Sequence, residues 1–198
     1  HVSCLAEQAK ILVAEAEENN LEWKVKSKRF SYWHTCGLCE QDYHGVVKCA
    51  LGWACWKTYL GRPETDPSRS LAINLLGRGL YGAEHYADAL SVSEAELSWL
   101  RRRGASANDI LIVQSNIANL YAELGRNEHA LQLKRDVYCG RLRHNSEEHP
   151  DTLMAANNYA TILVCQGHCG LAWSLLRKTI PIARRVLGES CDVTIRMR

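Results

Sequence analysis

The sequence is most informative at residues 149–176, which read HPDTLMAANNYATILVCQGHCGLAWSLL. Apolar and small residues recur there at helical spacing in two successive series. Pro150 and Asp151 are typical of the first turn of a helix, and Gly167 is typical of a helix end. The stretch therefore predicts two antiparallel helices joined by a tight turn. One such pair cannot bury all of its apolar surface, so it requires similar pairs beside it.

The same pattern occurs twice more in the preceding part of the chain. Shifts of 42 and then of a further 41 residues align two small residues in each of three copies, namely Gly77 with Ala89, Ala118 with Ala130, and Ala160 with Ala172. Small side chains at the point where two helices cross let the helices approach closely. The spacing therefore predicts three helix pairs of similar geometry.

Two motifs add a family resemblance. HPDTL at residues 149–153 and NNYA at residues 157–160 resemble the entry and the core of the long tetratricopeptide repeat (TPR), of roughly 42 residues, found in kinesin-light-chain-like proteins. The resemblance implies an all-α fold, in which antiparallel helix pairs stack into a right-handed superhelix, or α-solenoid. It also implies a protein-protein interaction scaffold that binds peptide or helical segments of a partner in its concave groove.

The repeat length divides the chain into two predicted domains. Residues 61–198 are expected to form the TPR array, with pairs at about 68–103, 107–143 and 150–187 and then the start of a further repeat. Residues 1–60 are expected to form N-terminal helices, either a degenerate repeat or a Cys/His-rich cap. The helix expected at residues 23–39 is the weak point of the register, because Trp33 occupies its small-residue position. Both ends of the chain resemble cuts through a longer array.

Composition argues against several classes of function. The 198 residues include 24 Lys and Arg against 22 Asp and Glu, a balance that argues against a nucleic-acid partner. The sequence has no apolar run long enough to cross a membrane, and it lacks a Ser-His-Asp order, an HExxH motif and a phosphate-binding loop. We therefore expect no enzyme activity and no membrane partner. Nine cysteines, an odd number, without a secretory signal favour a reducing compartment, hence a cytoplasmic location.

Cysteine and histidine are concentrated in residues 34–55. Cys36, Cys39, His44 and Cys49 have the number and types of ligand that a tetrahedral zinc ion requires. The repeat register argues against zinc, because it places the first two near the end of one helix and Cys49 in the middle of the next. Free thiols are the favoured interpretation, with structural zinc second. A redox dithiol comes third, because a reactive C-x-x-C usually lies at a helix N-terminus.

Polar residues on the first helix of each pair are the candidate partner-binding residues when they point away from the second helix. By register these are Asn74, Arg78, Ser115, Asn116, Asn119, Asn157, Asn158 and Thr161. Amide side chains both donate and accept hydrogen bonds, which suits the backbone of an extended peptide. The resemblance also implies that groove Asn, Lys and Arg residues hold peptide main chain or carboxylates. For Asn116 and Asn158, a structural role between helices is equally consistent with the pattern.

Two alternative functions stay open at this point. The chain could be a zinc-containing adaptor whose finger, at about residues 34–55, is presented by the repeats. It could also be the regulatory fragment of a larger enzyme whose catalytic domain lies outside these residues. Metal content distinguishes the first alternative from the scaffold, and flanking sequence distinguishes the second.

Overall fold

The computed structural model describes residues 1–197, which are α-helical apart from turns, one 3₁₀ helix at Ser31–Trp33 and one isolated β-bridge. The helices are α1 Val2–Glu18, α2 Trp23–Phe30, α3 Gly45–Tyr59, α4 Pro67–Gly82, α5 Tyr86–Arg102, α6 Ala107–Glu123, α7 Asn127–His144, α8 Pro150–Cys165, α9 Cys169–Leu187 and α10 Asp192–Arg196. The chain folds as two compact units, His1–Glu96 and a second that starts at Leu97. The predicted all-α fold of stacked helix pairs is confirmed.

In the second unit, each helix packs against its neighbours in the chain. α7 contacts α6 and α8, α8 contacts α9, and α10 contacts both α8 and α9. The small residues that the repeat predicted lie at these contacts, because Ala118, Ala130, Ala160 and Ala172 are at most 2% exposed. Around the last two, a cluster forms with buried Leu163. Methyl side chains at the crossings thus position successive pairs in the same way.

The first helix of each pair ends in a left-handed residue. Gly125 and Gly167 have φ values of 71° and 78°. After Gly167, His168 donates its backbone N–H to the Leu163 carbonyl oxygen at 2.8 Å, and the corresponding bond after Gly125 has the same length. This arrangement satisfies the last carbonyl groups of the helix and favours glycine. The glycines therefore marked the helix ends correctly.

The HPDTL motif forms the start of α8. His149 precedes the helix, and its Nδ1 accepts a hydrogen bond from the Asp151 backbone N–H at 3.1 Å. Pro150 occupies the first turn, where its missing N–H leaves no acceptor unpaired. α4 begins in a similar way, with Asp66 Oδ1 accepting from the Ser68 N–H at 2.7 Å before the helix and Pro67 in its first turn. Side-chain caps of this kind fix where a helix begins.

The first unit departs from the repeat pattern between α2 and α3. The helix expected at residues 23–39 is interrupted, because α2 and the 3₁₀ helix end at Trp33. The Trp33 side chain is 1% exposed and lies edge-on to Tyr59, with ring centroids 6.1 Å apart. Phe30 and Cys55 complete this core. The Trp33 ring thus occupies the position that a small residue has in the repeats, and a turn follows it instead of a further helical turn.

Three helix pairs coincide with the predicted repeats, namely α4 with α5, α6 with α7, and α8 with α9. The predicted division of the chain at residue 60 into a cap and an array stays a prediction. Within residues 1–197, no helix combines the length and the apolar character that a membrane span requires.

Candidate partner-binding groove

A groove of about 630 Å³ opens in the second unit, lined by α6, α7, α8 and α10. It contains four of the eight predicted partner-binding residues, namely Asn119, Asn157, Asn158 and Thr161. The other polar residues in its lining are Asn127, Lys134, Gln166 and Arg196. The first helices of successive pairs thus supply most of this lining, as the repeat register predicts.

Three amide side chains in the groove are available to a ligand. Asn119 is exposed, Asn158 is half-buried, and Asn157 is only 7% exposed. Within residues 1–197, none of these three side chains hydrogen-bonds to another protein group, although the Asn157 backbone oxygen accepts from the Thr161 hydroxyl at 3.0 Å. Amides that line a groove without protein partners present both donors and acceptors to whatever enters it.

Lys134 on α7 provides a cation in this lining. Its side chain is almost fully buried, with the residue 5% exposed. The Nζ donates to the Ser115 backbone oxygen at 3.1 Å and to the Ser115 Oγ at 3.2 Å. No Asp or Glu within residues 1–197 forms an ion pair with it. Burial lowers the pKa of Lys134 to about 8, because desolvation disfavours its charged form.

Sequence reasoning missed Lys134 because it searched only the first helix of each pair. A signal was nevertheless present, since the repeat shifts place Lys134 at the position of Ser93 and Leu176. Lys134 also follows Ala130 and precedes Val137 on the buried face of α7. A lysine inside an otherwise apolar or small-residue series indicates a cation on the buried face of a helix, where a charge is costly unless it is paired.

The other buried cation of α7 is paired, which distinguishes it from Lys134. Arg141 is 6% exposed and forms an ion pair with Asp151 at 3.2 Å and a hydrogen bond with Asn108 Oδ1. Arg196 on α10 is exposed and pairs with Asp192 on the same helix. Lys134 is therefore the cation in the groove lining that has no oppositely charged partner among the described residues.

The remaining predicted residues have other surroundings. Ser115 holds the Lys134 amine, and Asn116 is half-buried outside the groove lining. In the first unit, Asn74 hydrogen-bonds to Glu96 on α5, which is 6% exposed. Burial raises the pKa of Glu96 to about 7, and the Asn74 bond only partly opposes this shift. Asn74 thus acts between helices of its own pair.

Arg78 forms an ion pair with Asp42 within the first unit. Its Nη2 lies 3.7 Å from Asp42 Oδ2, with the arginine side chain about half exposed at 49%. Asp42 also accepts from Lys48 at 3.4 Å. A half-exposed pair of this kind contributes little to stability, so it leaves the guanidinium accessible.

The predicted zinc ligands do not come together in the structure. Among residues 1–197, no three His, Cys, Asp or Glu side chains form a group that could hold a metal ion. Cys36 and Cys39 lie in the turn after Trp33, and His44 precedes α3. Cys49 is within α3 at its contact with α4, where its Cα lies 3.0 Å from a Cβ built on Gly79. The four candidate ligands therefore do not form a zinc site among the described residues, and Cys49 lies on α3 rather than in the turn that carries Cys36 and Cys39.

The comparisons with known proteins agree with this fold. Residues 111–151 match a family model described as a tetratricopeptide repeat. The chain therefore contains a tetratricopeptide repeat. This match covers α7 and most of α6, the pair that carries Lys134. No curated protein sequence matches the chain.

Solved structures extend the likeness over more of this TPR protein. It resembles BtubC (BKLC) from P. vanneervenii with a TM-score of 0.64 and 17% identity, over 76% of this chain and 61% of that one. A Podosopora anserina putative kinesin light chain with nearly identical TPR-like repeats gives a TM-score of 0.62 and 16% identity, over 100% and 83% of the two chains. The apo form of RapI gives 0.60 and 16%, over 70% and 49%.

These likenesses establish the fold and leave activity and partners open. The TPR protein spans only 61% of the length of BtubC and 49% of RapI. The predicted resemblance to kinesin-light-chain-like repeats is confirmed.

Proposed function

We propose that this TPR protein is a non-enzymatic cytoplasmic scaffold that holds a peptide or helical segment of a partner protein in the groove of its second unit. The repeat fold itself suggests a protein-interaction scaffold. The observation that carries the proposal is the buried amine of Lys134, which lies beside free amides and lacks an opposite charge. A ligand that supplies a carboxylate would compensate this buried charge.

An acidic peptide fits the chemistry of the lining. The amides of Asn119, Asn157 and Asn158 can pair with the N–H and C=O groups of a peptide backbone. An Asp or Glu of the peptide would then form a charge-assisted hydrogen bond with Lys134. The groove volume of about 630 Å³ lies within the range of roughly 300–1,000 Å³ that is usual for ligand sites.

The test is a selection from a random peptide display library on the full chain, followed by fluorescence anisotropy with the selected peptides. We expect the selected sequences to be enriched in Asp and Glu. Lys134→Met should weaken their binding by about 10- to 100-fold, because the peptide carboxylate then has no buried cation to pair with. Lys178→Met is the matched control, since Lys178 is exposed on α9 and carries the same charge.

A second variant tests the amides separately from the charge. Alanine at Asn119, Asn157 and Asn158 should reduce binding of the same peptides while the circular dichroism of the chain is retained. Peptides that bind Lys134→Met and the triple variant as tightly as the natural chain would place the binding site outside this groove.

A further inference from the structure

Cys36 and Cys39 lie in a closed turn at residues 34–43, here called the dithiol turn. Its two ends pair through the β-bridge between Thr35 and Asp42. The Cys36 N–H donates to the Gln41 oxygen at 2.8 Å, and the Glu40 N–H donates back to the Cys36 oxygen at 2.9 Å. These bonds fix the backbone that carries both cysteines.

Side chains hold the dithiol turn in place from both sides. Asp42 accepts a hydrogen bond from the Thr35 hydroxyl at 3.1 Å and lies 3.2 Å from His34 Nδ1. Burial disfavours the Asp42 carboxylate, yet the bonds from His34 and Thr35 and the charge of Lys48 lower its pKa to about 2. On the opposite side the Tyr32 ring packs against Gly37, where an added Cβ would lie 2.5 Å from Tyr32 Cε1. The cysteines are therefore presented by an ordered loop.

Hydrogen-bond donors converge on the sulfur of Cys36. The backbone groups of Cys39 and Leu38, the Cys39 thiol and the Tyr43 hydroxyl all bond to it and lower the pKa of Cys36, although slight burial opposes them. The Cys39 side chain therefore lies close enough to Cys36 to lower its pKa. The objection from sequence, that this motif ends a helix, does not hold, because the 3₁₀ helix ends at Trp33 and the turn's own amides face Cys36.

The dithiol turn is also open to small reagents. Cys39 is exposed, Cys36 is half-exposed, and Leu38 between them is 97% exposed. Two other cysteines of the first unit, Cys49 and Cys55, are disfavoured as nucleophiles. Burial raises the pKa of Cys55 and, to a smaller extent, that of Cys49, so both remain thiols.

We propose that Cys36 and Cys39 form a reversible intramolecular disulfide, with Cys36 as the attacking cysteine and a small-molecule disulfide such as oxidised glutathione as the oxidant. Cys36 first releases its proton to solvent, and this proton later protonates the second glutathione thiolate. The Cys36 thiolate attacks one sulfur of glutathione disulfide, which breaks the S–S bond of the oxidant, forms a mixed disulfide and releases one glutathione thiolate. Cys39 loses its proton to that thiolate and attacks Cys36 Sγ, which expels the second glutathione. The protein loses two electrons and two protons, and the oxidant gains them as two thiols.

The site suits reversible chemistry. In a reducing compartment, disulfides are transient and serve redox sensing or catalysis. Oxidation consumes the Cys39 thiol and the Cys36 thiolate, so it also removes the hydrogen bonds that these groups make with each other and with Tyr43. The bond thus changes the local contacts of the dithiol turn.

The test uses the full folded chain in glutathione buffers of increasing oxidised fraction, followed by alkylation, trypsin digestion and mass spectrometry. Residues 30–48 form one tryptic peptide whose only cysteines are Cys36 and Cys39. Residues 144–177 form another, whose only cysteines are the exposed Cys165 and Cys169, and this peptide is the internal control. We expect the first peptide to become disulfide-linked at an oxidised fraction about tenfold lower than the second.

Two further measurements test the mechanism. Cys39→Ser should retain a stable glutathione adduct on Cys36, whereas Cys36→Ser should form less adduct on Cys39 at the same ratio. In guanidinium chloride the preference for the first peptide should disappear, because the turn no longer aligns its amides. Equal oxidation of both peptides in the folded chain would overturn the proposal. So would bound zinc that protects Cys36 and Cys39 until a chelator removes it.

Discussion

In the α8–α9 pair, Ala160 and Ala172 let two long helices touch, whereas after α2 the corresponding small-residue position is occupied by Trp33 and the helix ends there. All three residues are buried, with Ala160 at 2%, Ala172 at 1% and Trp33 at 1% exposure. A small residue thus coincides with a continuous first helix in one pair, and a large ring coincides with a helix end in the other. Where the first helix continues, the pair presents amides to a groove. Where it stops, the chain has room for the ordered turn that carries Cys36 and Cys39.

The largest expected effect concerns the buried Trp33 ring, which occupies the position where the regular pairs have a small residue at the helix crossing. Trp33→Ala should lower the free energy of unfolding by about 3–5 kcal/mol, because it leaves a cavity beside Tyr59. Urea unfolding followed by circular dichroism measures this change. Trp173→Ala is the matched control, since that side chain on α9 is 68% exposed, and it should change stability by less than about 0.5 kcal/mol. Similar losses for the two variants would contradict the comparison.

A second prediction concerns Glu96, a buried acidic residue inside one of the regular helix pairs. A shift of 41 residues places Glu96 at the position of Val137, and both are buried. The pKa of Glu96 is raised from 4.5 to about 7, so the folded chain keeps its proton at pH values where the unfolded chain has lost it. Stability should therefore be full below pH 4.5 and should fall as pH rises to about 7, by about 3 kcal/mol at roughly 1.36 kcal/mol per pKa unit.

Glu96→Gln should remove this decline. The variant should match the natural chain at pH 4 and exceed its stability at pH 8, as measured by urea unfolding at both values. Glu18→Gln, at an exposed position of α1, is the control and should leave the pH dependence unchanged. A natural chain whose stability does not fall between pH 4.5 and 7 would show that Glu96 is ionised in the folded state.

The third prediction separates stability from binding at Lys134. Lys134→Met should raise the free energy of unfolding of the unbound chain at pH 7 by about 1–3 kcal/mol, because an uncompensated buried charge is removed. The pKa of Lys134 is lowered from 10.5 to about 8, so the natural chain should gain stability as pH rises between these values. The variant should lack this gain in thermal unfolding scans. A destabilised variant would indicate that the amine is fully compensated by Ser115.

The smallest effects compare the ends of the first helices. Glu84 has a φ of 63° at the position that Gly125 and Gly167 occupy in the later pairs. Glu84→Gly should stabilise the chain by about 1 kcal/mol by relieving left-handed strain, and Gly167→Ala should destabilise it by about the same amount. Thermal unfolding of both variants measures the two changes. Shifts of the same sign would show that the helix ends are not equivalent.

The repeat fold was predictable because its signals are local. A glycine such as Gly167 indicates a left-handed residue at a helix end, and an alanine such as Ala160 indicates a helix crossing. Neither signal depends on the rest of the chain. In the groove, Asn119 and Asn158 were predictable from the same register.

Other features depend on distant contacts that periodicity does not encode. The 3₁₀ helix ends at Trp33, which packs on the distant Tyr59, and Cys36 and Cys39 follow this end. Lys134 contributes to the groove lining from α7, the second helix of its pair. The repeat register predicts that this position is buried, but it does not predict that the long side chain extends to the groove.

The lack of an opposite charge at Lys134 has a consequence for how this sequence changes over generations. If a buried amine lowers the stability of the unbound chain, then an apolar residue at this position, as at Leu176, is the more stable choice. Selection for a ligand would be the force that keeps it. Descendants that have lost the partner should therefore lose this lysine early, while Ala130 and Val137 beside it, which serve packing alone, should persist.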